Sequence, residues 1–138
     1  MASMTYPENI QSLIEDFEFL DDWEARYMHV IDMGKSLPPL EEAFKTDATK
    51  VKGCASQVWL HATRDGDRLH FAGDSDAHIV KGLVAVVLEV YSGRTPAEIG
   101  ALDAREILGK LGLSEHLSAQ RANGLASMIA RIKSEAAG

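Results

Sequence analysis

The sequence predicts an α+β fold: a small antiparallel β-sheet flanked by helices. Two β-rich runs, Gln57 to Arg64 and Arg68 to Gly73, are separated only by Asp65-Gly66-Asp67, in which Asp-Gly supplies the positive-φ turn of a hairpin. A largely apolar stretch of helical length follows, from Ala77 to Tyr91. Segments on either side carry apolar residues at helical spacing.

Taken in order, Ile10, Leu13, Ile14 and Phe17 form one face of a first helix, and Glu15, Asp16 and Glu18 occupy much of the other. Asp21 or Asp22 caps a second helix with an apolar stripe of Trp23, Tyr27, Val30 and Ile31, and Gly34 is expected to end it. Pro38-Pro39 forbids immediate helical continuation, and Lys45 to Lys52 reads as a loop or short strand. In the first hairpin strand Val58, Leu60 and Ala62 alternate with Trp59, His61 and Thr63, giving one apolar and one mixed face. Ser75 or Asp76 is expected to cap the helix from Ala77 to Tyr91, the central core element, where Gly82 allows a neighbouring element to approach closely. Thr95-Pro96-Ala97-Glu98 combines a capping box with proline at the first helical position. Asp103 caps a short helix ending near Gly112, and Ser118 starts a last one whose Ala122, Leu125, Ile129 and Ile132 share a face.

The 138 residues suit one domain, residues 1–138, able to bury a core without staples. Fourteen Lys and Arg against twenty-one Asp and Glu give a net charge of −7, which opposes attraction to nucleic acid or anionic lipid. The amino terminus has no basic region followed by an apolar run, so no secretory signal is expected. Ile79 to Val90, the longest apolar stretch, is interrupted by Lys81 and Glu89 and falls short of the roughly 20 residues of a membrane span.

Cys54 is the chain's single cysteine. One thiol forms no internal disulfide and supplies no thiolate-rich metal or cluster site. It is either a buried structural thiol or a nucleophile, and Gly53, Ala55 and Ser56 favour an approachable loop. A rigid hairpin would fix the base of that loop. Lys52 and the N–H groups of Ala55 and Ser56 are candidates for stabilising a thiolate. A free thiol fits a reducing cytoplasm.

Val51-Lys52-Gly53-Cys54-Ala55-Ser56-Gln57-Val58-Trp59-Leu60 resembles the signature of the SufE family of sulfur-acceptor proteins, which includes CsdE. Gly73-Asp74-Ser75-Asp76-Ala77-His78-Ile79-Val80-Lys81-Gly82-Leu83-Val84-Ala85-Val86-Val87 resembles its second signature. Arg121-Ala122-Asn123-Gly124-Leu125 with Met128 and Ile129 is similar to its carboxy-terminal helix, and Trp23, Tyr27, Gly34, Leu37 and Pro38 match its amino-terminal pattern in order. Ala55 departs from the pattern, standing where many members carry glutamine. The resemblance implies a SufE/IscU-like fold in which Cys54 accepts sulfane sulfur from the persulfide of a pyridoxal-phosphate cysteine desulfurase (SufS/CsdA-like) and passes it to an iron–sulfur scaffold (SufBCD-like). It further implies that Gly53, Ala55, Ser56 and Gln57 shape the loop. Asp74, Asp76 and Arg121 would lie near it, for protection or docking. The carrier itself would need no cofactor and no metal. A lone thiol suits this chemistry, because a second nearby cysteine would attack the persulfide and release the cargo as sulfide. Monomer and homodimer both remain open.

Other readings compete. A non-covalent adaptor would activate the desulfurase with Cys54 unused. His61 as a general base to Cys54 would give a cysteine hydrolase, against the plainer reading of a histidine on the mixed face of a sheet. His70 and His78 with Asp74 and Asp76 suggest a metal site, yet helix caps and exposed strand positions explain them more simply. Trp59 is expected to anchor the first strand, and Arg121, Arg131 and Lys133 to form a solvated helix face with partner contact as the sharper option.

Overall fold

The computed structural model of the chain describes residues 6–53, 56–114 and 117–137. Helices α1 (Glu8–Glu18) and α2 (Trp23–Ser36) lead through a 3₁₀ turn (Glu42–Phe44) to strands β1 (Val58–Asp65) and β2 (Arg68–Ser75). Helices α3 (His78–Tyr91), α4 (Pro96–Ala101), α5 (Ala104–Lys110) and α6 (Ala119–Ala137) follow. This is the α+β arrangement that the sequence predicts. No helix among the described residues is long and apolar enough to cross a membrane.

β1 and β2 pair antiparallel from Val58↔Ser75 to Asp65↔Arg68, leaving Gly66 and Asp67 as a two-residue turn. Gly66 has φ +64°, and a glycine in that conformation at the first central position is the type II′ pattern that matches strand twist. β2 runs beyond Gly73 because the ladder continues through Trp59↔Asp74 to the base. Short extended pieces flank the pair: Lys50 bridges Trp59 on one side, and Leu69 bridges Arg94 on the other. The Lys45 to Lys52 segment is thus a turn followed by a single strand-like bridge.

α3 is buried over most of its surface and packs against α2 and β2. Two glycines permit this. A Cβ on Gly82 would collide with the main-chain oxygen of Val30, and one on Gly34 would lie 2.7 Å from the Gly82 nitrogen. Gly34 therefore does not end α2, as its position in the sequence suggested; it is an interior contact where two helix backbones touch. The helix stops at Ser36 because Leu37, followed by Pro38, is forced into an extended conformation (φ −71°, ψ 124°).

Asp22 Oδ1 accepts from Ala25 N at 2.8 Å, and Thr95 and Glu98 form the reciprocal capping box. Asp103 Oδ1 accepts from Arg105 N at 3.0 Å, and Ser118 Oγ from Arg121 N at 3.2 Å. The expected cap of α3 differs. The N-cap is Ala77, with no side-chain cap; Ser75 Oγ accepts from Ala77 N at 3.3 Å, and Asp76 turns to Gln57. On α6 the inner face is Gly124, Leu125, Met128, Ile129 and Ile132, with Ala122 exposed outside it.

Asp74 is no cap either. It is 5% exposed and accepts from Ser75 N (2.8 Å) and Leu40 N (3.2 Å). Its oxygens lie 3.4 Å from Lys81 Nζ and 3.5 Å from Lys45 Nζ. Burial pushes its pKa up, but these N–H groups and the two ammonium groups outweigh that and hold the carboxyl below its ordinary value. A depressed carboxylate stabilises the fold above its unfolded-state pKa of about 4, and the contribution fades as pH falls through the lower folded value. Asp74→Asn is expected to cost about 2–4 kcal/mol at pH 7, because two ammonium groups lose their shared counter-charge. Urea midpoints should show that difference shrinking below about pH 4.

Candidate functional site

Cys54 and Ala55 lie outside the described residues. The structure defines the two stems between which they are covalently joined. Upstream, Thr46 and Thr49 exchange side-chain and main-chain hydrogen bonds in a tight turn. Buried Val51 then donates its N–H to Val58 O at 2.8 Å. Gly53 has φ +91°, and a Cβ there would come 2.5 Å from Ser127 Oγ on α6. Glycine is demanded twice at the residue before Cys54, by backbone conformation and by space.

Downstream, Gln57 N donates to Asp76 Oδ1 at 3.0 Å, and Asp76 N donates to Gln57 O at 3.3 Å. Asp76 thus ties the start of β1 to the end of β2 rather than capping α3. Ser56, half-buried, lines a cavity of about 120 Å³ whose wall includes Ile79, Val80 and Leu83 of α3 and Arg121 and Met128 of α6. The structure therefore brings Ser56 and Arg121 to one cavity, with Gly53, Gln57 and Asp76 on the flanking stems. Asp74 is not part of that wall, being enclosed by Leu40, Lys45 and Lys81. An apolar pocket edged by a guanidinium and a hydroxyl suits a small, polarisable group that carries negative charge.

The histidines stand elsewhere. His61 stacks on Phe44 with ring centroids 4.2 Å apart, whereas His70 and His78 are exposed. Among the described residues no group of three His, Cys, Asp or Glu could hold a metal ion. Trp59, half-buried, faces Asp74 across the ladder, and Lys45 Nζ lies 5.2 Å from its ring centroid. Lys52 is exposed.

Arg131 corrects the expectation of a solvated helix face. Its guanidinium is half-buried and donates to the Lys50 carbonyl at 3.3 Å and to the Ala48 carbonyl, while Nε meets Glu135 Oε2 at 3.1 Å. The ion pair at i,i+4 is readable from sequence. The two carbonyls, far upstream, are not, and Ser127 gave no signal at all.

The comparisons agree with this geometry. Residues 11–136 match the family model described as SufE, Fe-S metabolism associated domain. An uncharacterized SufE-like protein of Rhizobium meliloti (strain 1021) is 58% identical over 134 residues, spanning 94% of this chain and 96% of that protein. A second, from Rhizobium etli, is 57% identical over 132 residues, spanning 93% of this chain and 89% of its own length. The solution structure of a hypothetical protein from Thermus thermophilus matches with a TM-score of 0.77 at 18% identity, covering 96% of each chain, which is a likeness of fold. By its family model and by relatives that match it nearly end to end, the chain belongs to the SufE family, whose domain is associated with iron–sulfur metabolism.

Proposed function

We propose that the chain, acting as one domain in a reducing cytoplasm, is a sulfur acceptor and carrier that takes sulfane sulfur as a persulfide on Cys54. The donor is a PLP-dependent cysteine desulfurase of the SufS/CsdA kind, which the carrier stimulates by clearing its persulfide. The recipient is an iron–sulfur scaffold of the SufBCD kind. The Cys54 thiolate attacks the outer sulfur of the donor's persulfide, a new S–S bond forms, and the donor cysteine leaves as its thiolate. Transfer onward repeats the same displacement on the recipient. Pyridoxal phosphate belongs to the donor and the iron–sulfur cluster to the recipient.

The observation that carries this reading is a single thiol within the family's signature, between stems pinned from both sides. The stems support it by limiting the loop's motion, and the cavity beside Ser56 supports it by offering an apolar space edged by Arg121. In this reading Gly53, Ala55, Ser56 and Gln57 shape the loop, and Asp76 and Arg121 keep its surroundings in register for the docked donor. Asp74 contributes from the interior through its lysine network.

Intact-protein mass spectrometry under non-reducing conditions, after incubation with a cysteine desulfurase and cysteine, tests the reading. The expected result is a reducible adduct of one sulfur atom on the native chain and none on Cys54→Ser. No adduct beside an active donor would favour the non-covalent adaptor.

A further inference from the structure

The segment leading to Cys54 lies beside β1, and main-chain groups of an extended segment alternate between its two edges. Thr49 O and Val51 N face β1, where they meet Leu60 N at 2.9 Å and Val58 O at 2.8 Å. The Ala48 and Lys50 carbonyls are not engaged with β1. They are met by the forked guanidinium of Arg131, which donates Nη1 to Lys50 O and Nη2 to Ala48 O. The sheet is β1 and β2 alone among the described residues, so a side chain from α6 takes the place that a further strand would fill. Glu135, one turn along, holds the fork through Nε.

A guanidinium is suited to this task in a way an ammonium is not. It is planar, permanently charged and pre-shaped to serve two acceptors at once. One turn before Arg131 on the same helix, Ser127 fits so closely against Gly53 that no Cβ is tolerated there. Two side chains four residues apart therefore hold residues 48–53 against α6 up to the peptide bond that joins Cys54.

We infer that Arg131 is a positioning residue for sulfur acceptance: by bracing the Ala48 and Lys50 carbonyls against α6, it restricts the travel of Cys54 and slows its reaction with small soluble reagents. Its bearing on sulfur acceptance rests on the reading of Cys54 as the acceptor. The restraint itself does not, and the two are separable by experiment.

The rate of Cys54 alkylation by iodoacetamide is measured on the full chain, native and Arg131→Ala, in buffer and in low urea. The variant is expected to react about fivefold faster or more, the factor that follows from losing one hydrogen bond of ordinary net strength. That increase should be the same in buffer and low urea, because it comes from local motion. Arg131→Lys, able to serve one carbonyl, should fall between. Equal rates for native and Arg131→Ala would overturn the restraint. So would an increase that climbs steeply with urea, since the thiol would then react through global unfolding and Arg131 would be merely structural. Full restoration by lysine would overturn the two-carbonyl fork. Failure of the native chain to gain sulfur, with the alkylation difference intact, would remove the acceptor reading and leave the restraint standing.

Discussion

Cys54→Ala is expected to lose the stimulation of cysteine turnover that the native chain gives its desulfurase, on the order of a hundredfold or more, as when a covalent nucleophile is removed. No second thiol exists elsewhere in the chain to take over. The measurement is sulfide or alanine production with a fixed amount of donor and increasing carrier. The variant should still compete with the native chain for the donor, because docking is made by a surface and not by one sulfur atom. Its urea midpoint should move little, within about 0.5 kcal/mol, as for substitutions away from packed or paired features. Undiminished stimulation by the variant would sink the carrier reading and establish the adaptor, for which the thiol is idle.

The largest effect on stability is expected at Gly82. A methyl group there meets the main-chain oxygen of Val30, which has no alternative rotamer to adopt, so α2 and α3 must move apart along their contact. Gly82→Ala is expected to cost about 3 kcal/mol or more, at the upper end for overpacking. A domain of this size is typically stable by only about 5–15 kcal/mol. Gly100 in α4 supplies the contrast, since a Cβ there meets nothing within 4 Å. Gly100→Ala should be neutral or gain about 0.5–1 kcal/mol from helix propensity. Urea unfolding of both variants, read at a common slope, checks the pair. Equal stability for the two would refute close packing between the helices.

The contrast between those glycines shows what a sequence reveals and what it hides. The hairpin, the Thr95 capping box and the amphipathic faces were legible because each is written within a few neighbouring residues. Gly34 was misread because a glycine near a helix end looks the same whether it turns the chain or admits another backbone, and its partner Gly82 lies in a distant helix. Ser75, Asp74 and Asp76 were misread for a related reason. Their oxygens accept from any N–H, so a local capping rule had no way to weigh Leu40, Lys45, Lys81 or Gln57. At the candidate site the nucleophile, its loop and Arg121 were legible through the family's motifs. The bracing by Ser127 and Arg131 was not, because its acceptors are main-chain atoms, which leave no mark on residue identity.

The placement of Trp59 gives the molecule a built-in optical gauge. Its indole faces Asp74 across the hairpin, bridges the Lys50 stem and sits under the Lys45 ammonium, so a shift of that stem changes the electric field at the ring. The indole emission maximum follows local field and hydration. A partner that pulls on the stem would therefore register in the native protein's own fluorescence, with no dye attached to the one cysteine that must stay free.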